Sequence, residues 1–205
     1  MSNLDRVDYR AMPNHARIIR EKGKELNGKL KFIYQKVADM HADWYGQRYA
    51  SLVDQFNKLY PSLNEMLKLV YTEIPYVLET IANNYAKADT GSGVCNAAET
   101  PINALGAIPT HKEDVGMRFI TGKVEETKNT VKSNFDNAKT IMNEIQTEYK
   151  KISWKSDAAT KFEQAFTKLK TSIDSQIDDI NTSFVKLMNQ TETDMQTTEN
   201  ANTVN

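Results

Sequence analysis

The chain has 205 residues, 40% hydrophobic and 26% charged, with a formal net charge of −1 and a single cysteine, Cys95. This composition fits a protein of one or two domains. One cysteine excludes an intrachain disulfide scaffold, and the near-zero charge gives no general affinity for polyanions.

The opening residues, Met1 to Arg10, lack an apolar core, so no conventional secretory signal peptide is expected. No run approaches the ~20 apolar residues of a membrane span. Pro13 interrupts any helix begun at Leu4. From Asn14, read as an N-cap, apolar residues recur at Ile19, Leu26, Leu30, Ile33, Val37 and Met40. That spacing belongs to a helix burying one narrow stripe. Gly23 falls on the stripe, where it either admits a close neighbour or weakens the helix. Asp43 is the predicted N-cap of the next helix, and Trp44-Tyr45-Gly46 is the corner where the chain turns back. A second series follows at Leu52, Phe56, Leu59, Leu63, Leu67, Val70, Ile74, Leu78, Ile81 and Tyr85. Pro61 and Pro75 lie within it and should kink it or begin fresh helical segments.

Residues 90–113 read as a linker. Thr90-Gly91-Ser92-Gly93 ends the helix, and Pro101, Gly106 and Pro109 prevent another long one. Val94, Ile102, Leu105 and Ile108 imply that parts of it lie against the protein. A third series runs through Val124, Val131, Phe135, Ala138, Met142, Ile145, Tyr149 and Ile152 to a second corner at Trp154-Lys155-Ser156. The fourth is Phe162, Phe166, Leu169, Ile173, Ile177, Ile180, Phe184 and Met188. The end of the chain is rich in Thr, Asn and Gln, and residues 200–205 are expected to be disordered. With the two tryptophans aligned, Leu52, Phe56, Leu59, Leu63, Leu67 and Val70 fall on Phe162, Phe166, Leu169, Ile173, Ile177 and Ile180. The chain therefore reads as a tandem repeat: residues 1–89, a linker over 90–113, then residues 114–199.

Two helices joined by Trp-X-Gly resemble the WXG family, the small helical hairpins handled by type VII secretion systems. That family carries a Tyr-X-X-X-Asp/Glu signal past its second helix, and Tyr85-Ala86-Lys87-Ala88-Asp89 matches it. The second half is degenerate at both motifs: Ser156 stands at the glycine position, and Met195 and Glu199 stand where tyrosine and acid would be. The asymmetry is similar to family pairs in which one member carries the export signal and the other is a passive partner.

The predicted fold is all-α: two helix-turn-helix hairpins packed as an elongated four-helix bundle. A helix of ~43 residues is ~64 Å long. For antiparallel hairpins the linker must therefore run nearly straight, since its extended reach is ~80 Å and its coil size ~27 Å. Pairing of hairpins between two chains, as a homodimer, is the competing arrangement. Antiparallel pairing would place Trp154 near Tyr85 and Asp89; in a homodimer that composite site would have to be sought across the interface. Residues 1–42 carry nine Lys/Arg against five Asp/Glu, and residues 161–205 four Lys against seven Asp/Glu, which suits mutual complementarity within a bundle.

Chemistry finds little footing. His15, His41 and His111 show no metal-ligand spacing, and nothing pairs them with Cys95 as nucleophile and base, so neither metal nor cofactor is expected. The basic run from Arg17 to Lys31 is broken by Glu21 and Glu25, which argues against nucleic acid. The resemblance implies a non-enzymatic protein, secreted without a conventional signal peptide by a type VII system. Its partners would be the secretion machinery and a host or effector protein, with no stable membrane insertion. Two alternatives are a cytosolic adaptor or chaperone escorting a larger type VII effector, and a membrane-active helical bundle.

Overall fold

A computed structural model describes residues 7–202. The fold is all-α, with α1 at Met12–Asp39, α2 at Gln47–Lys68, α3 at Ile74–Thr90, α4 at Thr121–Lys150 and α5 at Asp157–Asn202. The strands are β1 at Trp44–Tyr45 and β2 at Arg118–Phe119, paired antiparallel with Trp44 opposite Phe119. No described helix is long and apolar enough to cross a membrane.

Pro13 sits in the first turn of α1, where a missing N–H leaves no helical bond unmade. Asn14 is already inside the helix, and its side chain accepts from Arg17 Nη2 at 3.0 Å instead of capping. Asp43 is likewise not an N-cap. A 3₁₀ turn over Met40–Ala42 and the β1 strand stand between α1 and α2. Pro61 lies inside α2.

Pro75 occupies the first turn of α3, immediately after a π-turn over Leu69–Glu73. In that turn the Ile74 N–H reaches back five residues to the Leu69 carbonyl, which adds one residue to the helical path. The addition explains a departure from the expected seam. Leu78 is buried as expected, but Ala82 and Ala86 take the core positions assigned to Ile81 and Tyr85. From Ala82 on, the inward positions lie one residue later than the spacing assigned. Gly23 is buried opposite the turn, where an added Cβ would lie 3.2 Å from Val70 Cγ2 and 3.3 Å from Tyr71 Cβ. Its value is therefore close approach.

The chain divides into two compact units. One comprises residues 1–28, 62–104 and 138–172, with portions of α1, α2–α3, α4 and α5. Its core includes Ile19, Leu26, Leu67, Val70, Leu78, Met142, Ile145 and Phe166. Two half-buried ion pairs cross it. Arg20 Nη1 and Nη2 donate to the Glu79 carboxylate at 2.7 and 3.1 Å, and His15 Nδ1 lies 2.7 Å from Glu148 Oε1. Lys151 also donates to Glu148 at 2.7 Å. These bonds, led by that from Lys151, hold the Glu148 carboxyl below its ordinary range against the opposing effect of burial.

The other unit comprises residues 29–61, 105–137 and 173–205. Its core is aromatic: Phe56 stacks on Phe135 with centroids 5.9 Å apart, and Tyr34 meets Phe56 edge-on at 5.8 Å. The Tyr34 hydroxyl donates to the Phe56 carbonyl at 2.7 Å, and burial pushes its pKa up.

Between Thr90 and Arg118 the chain has no helix or strand. In the first unit Asn83 accepts from the Val94 and Cys95 N–H groups and donates to the Cys95 carbonyl, while Thr72 donates to the Thr100 carbonyl. In the second, Asn57 makes the same two-way amide pairing with Ile108, at 2.8 Å each way. Each carboxamide thus stands in for a strand partner. Leu105 and Ile108 are buried, whereas Val94 is 44% exposed.

Candidate recognition site

The first corner is built around Trp44, which is 1% exposed. Its ring lies 5.5 Å from Phe119, 6.0 Å from Phe184 and 6.3 Å from Tyr49, centroid to centroid. Antiparallel pairing of β1 with β2 sets it there, and Ile120 N–H adds a bond to the Asp43 carbonyl at 2.9 Å. Gly46 has φ 115°, a conformation that disfavours any side chain, and a Cβ would stand 3.4 Å from the Gly116 carbonyl oxygen. Arg48 is tied to Asp194 of α5. A cleft of about 350 Å³ is lined by Trp44, Tyr45, Gly46, Arg48, Met117 and Thr191 among others.

The second corner uses different parts. Ser156 caps α5: its Oγ accepts from the Ala159 N–H at 3.1 Å. Serine at the glycine position therefore keeps the helix start, three residues after the tryptophan as in the first corner. Trp154 is only half-buried and lines a groove of about 500 Å³ formed by residues between Tyr149 and Glu163. The Tyr149 hydroxyl donates to the Ala159 carbonyl at 3.0 Å, and burial pushes its pKa up to about 12.

Tyr85 is 38% exposed on α3, and Asp89, one turn later, accepts from the Tyr9 hydroxyl at 2.5 Å. Trp154, Tyr85 and Asp89 belong to the same compact unit, although the residues lining the Trp154 groove include neither Tyr85 nor Asp89. In the other unit Met195 is half-buried and Glu199 exposed on α5, with Trp44 in the same unit.

One grouping escaped the sequence reading. His41, His111 and Asp114 each bring a ligand atom within 4.8 Å of the other two. The imidazoles stack with centroids 3.8 Å apart, and His41 Nε2 lies 2.6 Å from Asp114 Oδ2. His111 has a left-handed φ of 51°, uncommon for a residue with a side chain. Only the His111-x-x-Asp114 spacing is local, so the sequence held no signal for the trio.

Residues 6–90 match the model of the WXG100 family, described as proteins of 100 residues with WXG. The matched segment holds both Trp44-Tyr45-Gly46 and Tyr85 with Asp89.

The similarity to this family covers 85 of the chain's 205 residues.

No curated protein and no solved structure matches the chain. WXG100 proteins are small helical type VII secretion substrates rather than enzymes, exported without conventional signal peptides and usually paired as dimers. In the matched segment Trp44 is a core residue of its corner, and the surface near the segment's end is offered by Tyr85.

Proposed function

We propose that this protein is itself a type VII export substrate, recognised through Tyr85 and Asp89, with Trp154 as a second element of the recognition surface. The observation that carries the reading is the position of Tyr85. It sits at the end of the WXG100 segment, turned out of the seam that its spacing suggested, and its ring is open to solvent. Trp154 is half-buried in the same compact unit, and an incompletely covered indole suits a contact site. Its activity is binding, with the machinery and then with a host or effector protein.

Pairing of the two hairpins within one chain accompanies this reading. His15 with Glu148 and Lys22 with Glu144 support it in one unit, and Trp44 with Phe184 and Phe56 with Phe135 in the other. Light scattering should then return one chain per particle.

The test is export of Tyr85→Ala from a type VII-competent strain, beside the same strain lacking the system. The variant should keep its circular dichroism spectrum, because an exposed side chain contributes little to stability, and should accumulate inside the cell. Wild-type levels of the folded variant outside the cell would sink the signal role. Should the unaltered protein stay inside while export of another protein depends on it, it is an adaptor.

A further inference from the structure

We propose that His41, His111 and Asp114 form a zinc-class metal site that fastens the connector to the first corner. Two imidazoles and one carboxylate are a donor set that suits Zn²⁺, with a fourth position left to water. All three residues lie in one compact unit and are half-buried, neither sealed from solvent nor splayed into it. Tetrahedral zinc at ~2.0–2.1 Å from each ligand sets its donors about 3.4 Å apart. The donors present lie within 4.8 Å of one another, so closing the site needs adjustments that side-chain rotation supplies. His41 Nε2 and Asp114 Oδ2, now 2.6 Å apart as a hydrogen-bonded pair, would open slightly, with the metal replacing the proton between them.

The surroundings favour the site. The turn that carries two of the donors is closed by Asp114 N–H to the His111 carbonyl at 3.2 Å. It presents both donors to His41, held in the 3₁₀ turn with its ring 5.3 Å from Tyr49. Lys112, between the two in sequence, is drawn to Asp54 at 2.7 Å.

The test uses the full chain, stripped with a chelator and titrated with Zn²⁺ against a chromophoric competitor. The expected result is one equivalent per chain. Affinity should fall at least tenfold in His41→Gln and in His111→Asn, and should be unchanged in His15→Gln. Asparagine tolerates the left-handed φ at position 111, so the turn survives that change, and circular dichroism checks the fold of each variant. Co²⁺ gives an independent readout on the unaltered protein: visible bands of tetrahedral intensity are expected. Absence of those bands, or equal zinc uptake by the His41→Gln/His111→Asn double variant, overturns the proposal.

Discussion

The two tryptophans each stand three residues before a helix start, yet their surroundings predict unequal costs of removal. Trp44 is 1% exposed and touches three aromatic rings, so Trp44→Ala opens a cavity that helices on several sides cannot collapse into. Such a truncation costs about 3–5 kcal/mol. For a chain of this size each kcal/mol lowers Tm by about 2–4 °C, so a fall of about 6–20 °C is expected. Trp154 is half-buried beside an open groove. Trp154→Ala should cost about 1.5–2.5 kcal/mol, in proportion to the apolar area it withdraws from water. Urea unfolding followed by far-UV circular dichroism measures both on one scale. Each variant retains one tryptophan as a fluorescent reporter, since the chain has 2. Emission from Trp44 alone should be blue-shifted relative to that from Trp154 alone. If Trp154→Ala destabilises the protein as much as Trp44→Ala, burial is not what separates the corners, and the assignment of Trp154 to a contact surface loses its physical basis.

Other expectations follow from the polar layer of the first unit. Arg20→Ala leaves the Glu79 carboxylate, 7% exposed, without its two donors, and should cost about 2–4 kcal/mol in urea unfolding. An Arg20→Met/Glu79→Leu double variant should recover most of that loss. For Glu148 the sign follows from its depressed pKa: the stabilisation is present above the ordinary carboxylate range and is lost as pH falls through the lower folded value. Glu148→Gln should therefore flatten the acid side of the Tm–pH curve, and an unchanged acid slope would show that Lys151 and His15 do not hold the charge.

The helical seams were legible because their spacing is local: Leu52 through Leu78 and Ile173 through Met188 needed only a period. Trp44 was readable as a corner for the same reason. The β1–β2 pairing was not, because Phe119 lies far along the chain and a two-residue strand leaves no alternation to detect. Asp43 looked like a helix cap because aspartate before an apolar run usually is one; a partner from beyond the connector overrode that local preference. Pro75 announced a disturbance in the second series, but a proline permits a kink, a restart or a π-turn alike, and sequence spacing cannot choose among them. The His41–His111–Asp114 trio needed the connector's path, which is set by the amides of Asn57 and Asn83 and by no periodic signal.

The π-turn makes the outward face of α3 a matter of phase. An α-helix turns by about 100° per residue, so tightening the π-turn over Leu69–Glu73 into regular α-helix, with every residue kept, would rotate everything from Ile74 to Thr90 by that angle. The ring of Tyr85 would swing toward the core and two alanines out of it, with no change in what α3 is made of. Which side chains α3 offers to a partner is therefore encoded upstream of α3, in a turn that meets no partner, and across from it at Gly23, where the lack of a side chain leaves room for the extra residue.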